Sequence, residues 1–136
     1  MDRILVDTGF LVAYGKKRDL LYPKADRFLS KYHGTLFSVS AVVVETCFFL
    51  DAGAKQHLLE WVEEGSLSMV EVPVVAYPEL AETIGTYSDR NVDFADAALI
   101  WLAETSGIRR ILTTDRRDFY TFRLKGGKRF DPVDWV

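Results

Sequence analysis

Three consecutive aliphatic residues run directly into a carboxylate near the start of the chain, in the segment Ile4-Leu5-Val6-Asp7-Thr8-Gly9. A short, continuous apolar run is typical of a strand buried on both faces, as in the parallel sheets of α/β proteins. Asp7 then lies where the strand leaves the sheet, and open α/β folds bind their ligands at this carboxyl edge. The segment therefore predicts a buried first strand with Asp7 at a binding edge. The alternative is that Asp7 only caps the helix that follows.

The same pattern recurs late in the chain, where Arg109-Arg110-Ile111-Leu112-Thr113-Thr114 leads into Asp115 and a short helix. Between the two copies, further strands are predicted at residues 35–39 and 66–72, separated by helices. Strands that alternate with helices favour a parallel sheet between helix layers. We therefore predict a three-layer α/β/α sandwich with a mostly parallel central sheet, formed by residues 1–136 as a single domain. The tail, residues 130–136, is expected to add an edge strand.

Composition excludes several classes of protein. Hydrophobic residues make up 49% of the chain at a mean hydropathy of +0.01, and the longest apolar run is far shorter than a bilayer span. The first residues carry no secretory signal pattern, and the single cysteine, Cys47, cannot form an internal disulfide. We therefore expect a cytoplasmic protein with no membrane partner.

Two predicted helices are almost wholly apolar and yet contain acids. Ser40 is the predicted N-cap of a helix over residues 41–50, with Glu45 in its middle. A helix that is apolar all round is buried, and an isolated buried charge is costly, so Glu45 needs a cation, a donor or a metal. The second helix begins near Asp93, a good N-cap, with Asp96 three residues later. A capping box usually has the longer Glu or Gln at that position, which favours a functional role for Asp96.

Four acids are therefore expected to share one edge of the sheet. Asp7 and Asp115 end strands there, while Glu45 and Asp96 lie in helices that begin at or face the same edge. Carboxylates this close repel one another, and a divalent cation relieves the repulsion. Mg²⁺ and Mn²⁺ prefer oxygen ligands, and the absence of paired His or Cys residues argues against zinc. The sequence predicts a Mg²⁺ or Mn²⁺ site formed by these four side chains.

The chemistry that suits this site is metal-assisted phosphodiester hydrolysis. The four acids would act mainly as ligands, with Glu45 or Asp115 also able to orient the attacking water. Hydroxyl groups beside the acids are candidates to hold the carboxylate rotamers. These candidates are Thr8, Thr113 and Thr114. The alternative is that all three are ordinary turn residues.

Positive charge is concentrated near the C-terminus. Residues 1–104 have a balance of −7, whereas residues 105–136 have a balance of +4 and carry several basic pairs. Basic pairs often form solvated faces, but cations beside an acidic site also attract a nucleic-acid backbone. Because they directly follow Asp115, Arg116 and Arg117 are the candidate RNA-binding residues.

In their order along the chain these motifs resemble the PIN domain, and more narrowly the VapC-type toxins of toxin–antitoxin pairs. The matching segments are Asp7-Thr8 after a hydrophobic strand, Glu45 in its helix, Asp93-Phe94-Ala95-Asp96-Ala97, and Thr113-Thr114-Asp115 through Asp118-Phe119. The resemblance implies a Mg²⁺- or Mn²⁺-dependent endoribonuclease, the toxin of a type II pair. It also implies a homodimer, inhibition by a small antitoxin protein, and Asp7, Glu45, Asp96 and Asp115 as the acidic set. Asp93 and Asp118 are extra acids near the site.

Rival interpretations make different demands on the sequence. A phosphatase of the haloacid dehalogenase type needs an acid at position 9, which is glycine in this chain. A receiver domain needs an early acidic doublet, and dinucleotide binding needs a glycine-rich turn after the first strand. Neither feature is evident in the sequence. The remaining alternative is a non-catalytic RNA- or protein-binding module in which the acids are structural. That alternative predicts that Asp7→Asn changes stability more than activity.

Overall fold

A computed structural model describes residues 2–136 of the chain. In chain order its elements are β1 (Arg3–Val6), α1 (Thr8–Gly15), α2 (Tyr22–Lys31), β2 (Thr35–Val39), α3 (Ser40–Cys47), α4 (Ala52–Glu63), β3 (Ser68–Val70), α5 (Tyr77–Thr86), α6 (Phe94–Ser106), β4 (Arg110–Leu112), α7 (Arg116–Thr121) and β5 (Asp131–Pro132).

The five strands form one sheet in the order β3-β2-β1-β4-β5, and every pairing between them is parallel. Strand β1 is central: Leu5 lies opposite Phe37 of β2 on one side and Ile111 of β4 on the other. The predicted α/β fold with a parallel sheet is confirmed, and the tail adds the expected edge strand. After β1, the chain adds β2 and β3 on one side of the sheet and then β4 and β5 on the other. The point at which the strand order reverses, the topological switch point, therefore lies between β1 and β4. Open α/β sheets bind ligands at such a point.

Burial follows from this central position. Ile4, Leu5 and Val6 of β1 are fully inaccessible to solvent, as predicted for a strand covered on both faces. Helix α6 is equally buried through its middle turns, where small alanines allow it to approach β2 and helices α3 and α5 closely. The elements that carry Asp7 and Asp96 are therefore among the most rigidly packed parts of the molecule.

Helix α3 differs from its prediction. It spans Ser40–Cys47, and its N-cap is Val39, which makes no side-chain capping bond. The hydroxyl of Ser40 instead donates a hydrogen bond to the carboxylate of Glu71. The helix is also not buried all round, since Val44 is 57% exposed. An apolar sequence alone does not reveal which flank of a helix another element covers, and one flank of α3 is left open.

Two further predictions were wrong in detail. Strand β3 covers only Ser68–Val70 rather than residues 66–72, because it is an edge strand paired with β2 alone. The amphipathic pattern of residues 54–64 also predicts that Leu59 faces inward, whereas in α4 this side chain is 55% exposed. Among the described residues, none of the helices combines the length and the apolar character needed to cross a lipid bilayer.

Candidate active site

Asp7 follows β1 directly, and both oxygens of its carboxylate are held. Oδ1 accepts a hydrogen bond from the backbone N–H of Thr8 at 2.8 Å, which makes Asp7 the N-cap of α1. Oδ2 accepts one from the hydroxyl of Thr113 at 2.8 Å. The backbone N–H of Asp7 donates to the carbonyl of Leu112 at 2.9 Å, which ties the end of β1 to the end of β4. The carboxylate is therefore fixed at the switch point of the sheet, where it caps α1.

The pKa of Asp7 is raised to about 6. Burial is the largest cause, since only 8% of the residue is exposed and the charged form loses its hydration. The bonds from Thr113 and Thr8 act in the opposite direction, while the negative charges of Asp115 and Asp93 raise the pKa further. Asp7 thus interacts electrostatically with acids from two distant segments of the chain.

Asp93 and Asp96 begin helix α6 as a capping box. Oδ1 of Asp93 accepts a bond from the N–H of Asp96 at 3.0 Å, and Oδ2 of Asp96 accepts one from the N–H of Asp93 at 3.4 Å. Although a longer Glu or Gln is usual at this position, the shorter side chain of Asp96 does complete the capping box, with a long second bond. Capping does not satisfy Asp96, however. Its pKa is raised to about 8 by burial first and then by the charges of Asp93 and Asp7.

Glu45 approaches the same group from α3, which packs against α1 and α6. Its pKa is raised, mainly by burial and then by a hydrogen-bonding contact with Asp93 and by the charge of Asp7. The hydroxyl of Thr8 lies close enough to stabilise the Glu45 carboxylate, although it is buried and makes no hydrogen bond of normal geometry within the described residues. The structure therefore brings Asp7, Glu45, Asp93 and Asp96 together.

Asp115 lies at the edge of this group. Its backbone N–H donates to Oγ1 of Thr113 at 2.9 Å, so one threonine side chain joins Asp115 to Asp7. The pKa of Asp115 is raised by burial and by a hydrogen-bonding contact with Asp118. Asp118 in turn forms an ion pair with Arg90 at 3.3 Å. Both extra acids of the sequence analysis, Asp93 and Asp118, thus contact the predicted four.

The donors of this cluster are all carboxylate and hydroxyl oxygens, the set that suits Mg²⁺ or Mn²⁺. Within residues 2–136, no three His, Cys, Asp or Glu side chains stand ready-made around a metal-sized space. The carboxyl groups instead lie in close pairs, Glu45 with Asp93 and Asp115 with Asp118, and this proximity contributes to the raised pKa of Glu45 and of Asp115. The residues fit a hard divalent cation in chemistry and charge, and binding one requires side-chain rotation to replace these pairwise contacts.

The three predicted threonines take different positions. Thr113 is fully buried and bonds directly to Asp7. Thr114 is exposed and packs against Gly9, where any larger residue would collide with it. Gly9 is therefore required by this close approach, which the sequence pattern alone did not indicate.

The candidate RNA-binding arginines differ as well. Arg116 forms an ion pair with Asp134 at 3.3 Å, whereas Arg117 is exposed at the start of α7. The sequence analysis missed two residues that contact the cluster: Arg90, paired with Asp118, and Trp135, whose indole N–H donates to the carbonyl of Thr113 at 3.1 Å. Neither residue lies in a recognisable motif, and only the folded chain places them beside the acids.

Comparison with known proteins identifies relatives over nearly the whole chain. A family model described as PIN domain matches residues 4–124. Ribonuclease VapC26 of Mycobacterium tuberculosis (strain ATCC 25618 / H37Rv) is 26% identical over 134 residues, which cover 96% of this chain and 99% of the relative. The crystal structure of Mycobacterium tuberculosis VapC20, described as a sarcin-ricin loop cleaving toxin, aligns with a TM-score of 0.76 at 20% identity. That alignment covers 85% of this chain and 93% of the other.

Proposed function

Because the chain belongs to the PIN domain family, we propose that it is a divalent-metal-dependent endoribonuclease and the toxin of a type II toxin–antitoxin pair. The likeness to a VapC ribonuclease over almost the full length of both chains supports this assignment. The whole 136-residue stretch would act as one nuclease domain in the cytoplasm, where its RNA substrate is found.

One observation carries the proposal. At the switch point of the sheet, burial and mutual repulsion raise the pKa of Asp7 to about 6 and that of Asp96 to about 8. Repulsion among these carboxylates destabilises the fold, which is unfavourable if their role is only structural. A bound divalent cation would relieve this repulsion by attracting all of them. Clusters of acids with perturbed pKa values are characteristic of functional sites.

Asp7, Glu45, Asp96 and Asp115 are the proposed ligands of Mg²⁺ or Mn²⁺. When bound, the cation supplies charge neutralisation and Lewis-acid stabilisation of the scissile phosphate. Thr113 holds the rotamer of Asp7 through its hydroxyl bond and positions Asp115 through its contact with that residue's N–H. Glu45 or Asp115 is proposed to orient the attacking water, since these two carboxylates lie further toward the rim of the cluster.

The test uses purified protein with labelled single-stranded and structured RNAs. We expect cleavage that EDTA abolishes and that Mg²⁺ or Mn²⁺ restores. Asp7→Asn and Asp96→Asn should each remove cleavage while circular dichroism and thermal unfolding report a folded protein. Glu63→Gln, which alters an exposed acid of α4, is the matched control and should cleave normally. Wild-type cleavage rates in Asp7→Asn with metal present would refute the mechanism and favour a non-catalytic binding module.

The toxin role is tested in cells. Induced expression of the wild-type chain should arrest growth, and Asp7→Asn should not. Co-expression of a small antitoxin protein encoded beside it should relieve the arrest. Growth that is unaffected by a catalytically active protein would restrict the proposal to the ribonuclease activity.

We also propose a homodimer, on the basis of an exposed apolar patch. Val74 and Val75, which follow β3, are 75% and 84% exposed, and the nearby rings of Tyr77 and Phe94 pack edge to face at 5.5 Å. Contiguous exposed apolar surface of this kind marks interaction sites. Size-exclusion chromatography with light scattering should detect a dimer, and Val75→Asp should convert it to a monomer. A monomeric wild-type protein would contradict this part of the proposal.

A further inference from the structure

Helix α2 presents a row of cations on one face. Lys24, Arg27 and Lys31 follow one another at intervals of three and four residues, the spacing that aligns side chains along a helix. All three are exposed, and none forms an ion pair in the part of the chain that the structure describes. This positive face lies outside the basic C-terminal segment to which sequence analysis assigned RNA binding.

Several basic side chains of that C-terminal segment already have partners within the protein. Arg110 forms an ion pair with Asp2 at 2.6 Å, and Arg116 forms one with Asp134. Arg123 donates to three successive backbone carbonyls at the end of α7. The unpaired cations of α2 are therefore a stronger attraction for an anionic partner than the sequence suggests.

The cations border a cleft of about 270 Å³ between α2 and the C-terminal tail. Aromatic rings form much of its lining. Phe28 and Tyr32, both half-buried, stack at 5.4 Å with 18° between their planes, and the largely buried Trp135 also lines the cleft. The one acid of the lining is Asp134, which is already paired with Arg116.

Hydrogen bonds through buried groups link the lining of the cleft to the acidic cluster. The indole N–H of Trp135 donates to the carbonyl of Thr113, and the hydroxyl of Thr113 donates to Asp7. On the same side, Asp134 holds Arg116, the residue after Asp115. Arg116 therefore joins the segment that carries Asp115 to the lining of this cleft.

We propose that the cleft binds single-stranded RNA beside the site of cleavage, with phosphates on Lys24, Arg27 and Lys31 and an unstacked base against the aromatic rings. This inference rests on the proposed function, because it extends the path of the same substrate. Three cations suit a phosphate backbone, and aromatic side chains are the usual platform for unpaired bases. The cleft, of about 270 Å³, is too small to enclose a peptide helix of about 10–12 Å diameter.

The test measures binding apart from cleavage. A fluorescent single-stranded RNA is titrated with protein in EDTA at several salt concentrations, and fluorescence anisotropy gives the Kd. The variant Lys24→Ala/Arg27→Ala/Lys31→Ala should bind more weakly, and the slope of log Kd against log salt should fall by about 2, since each neutralised phosphate contributes about 0.7 on a single strand. A control with the same loss of charge, Lys55→Ala/Lys128→Ala/Arg129→Ala, should keep a slope closer to that of the wild type. Equal slopes for the two variants would overturn the proposal.

A second measurement addresses the aromatic wall. In the background Trp61→Phe/Trp101→Phe, Trp135 is the single tryptophan, and its fluorescence should be quenched by the RNA but not by an acidic peptide of equal charge. Quenching by the peptide alone would reassign the cleft to a protein partner. If the wild type binds RNA through these residues but never cleaves it, the proposed function fails and this site stands. If the wild type cleaves RNA but the triple variant binds it with an unchanged Kd, the proposed function stands and this binding site fails.

Discussion

Replacing Asp7 by asparagine should change the pH dependence of folding in a predictable direction. In the metal-free protein the pKa of Asp7 is about 6, compared with 3.8 for an ordinary aspartate. The folded state therefore holds this proton more tightly than the unfolded state. The resulting stabilisation is complete below about pH 4 and is lost as the pH rises to about 6. Above that range the buried carboxylate is charged and destabilises the fold.

The size of the effect follows from the same two values. One pKa unit corresponds to about 1.4 kcal/mol, so ionisation of Asp7 costs about 3 kcal/mol of unfolding free energy between pH 4 and pH 7.5. Asp7→Asn removes this charge but weakens the bonds with Thr8 and Thr113, at a cost of about 1 kcal/mol at every pH. The variant should therefore be less stable than the wild type at pH 4 and more stable by about 2 kcal/mol at pH 7.5.

Urea unfolding in EDTA, followed by circular dichroism at both pH values, measures this crossover. Taking the difference between variant and wild type at each pH removes the contributions of acids that the substitution leaves unchanged. Glu63→Gln serves as the control, because an exposed acid of α4 should give a difference that is nearly independent of pH. A constant difference between Asp7→Asn and wild type across this range would refute the electrostatic account of the site.

Other perturbations test neighbouring contacts. Mg²⁺ should raise the thermal unfolding temperature more at pH 8 than at pH 5, because its ligands must lose protons, and Asp96→Asn should reduce this shift. Thr113→Val should raise the pKa of Asp7 further by removing a bond to its charged form, which a pH titration followed by the NMR shift of the Asp7 carboxyl carbon detects. The same substitution should lower the cleavage rate without unfolding the protein. Gly9→Ala should destabilise the fold by about 1–2 kcal/mol in urea unfolding through collision with Thr114, and Thr114→Ala in the same chain should recover part of the loss.

The fold was accessible from sequence because its signals are local. Apolar runs ending in Asp7 and Asp115, and the alternation of strands and helices between them, specify a parallel sheet whatever the details of packing. Where the prediction failed, the determining contact was distant. Ser40 looks like an N-cap until Glu71 provides a partner 31 residues away, and the exposure of Val44 depends on which elements leave α3 uncovered.

The same distinction explains what sequence analysis missed at the site. The acids could be identified from the sequence because a carboxylate in an apolar segment is unusual in itself. Their relative importance in the site could not be predicted. Asp93 was assigned mainly a capping role, yet the fold brings it against Glu45 as well as Asp96. Capping and clustering use the same oxygens, so a cation bound by Asp96, as proposed, would weaken the long bond of that side chain at the start of α6. Metal binding and local stability would then compete in the first turn of the helix. The other bond of the box, from the N–H of Asp96 to Asp93, would keep the start of the helix in place.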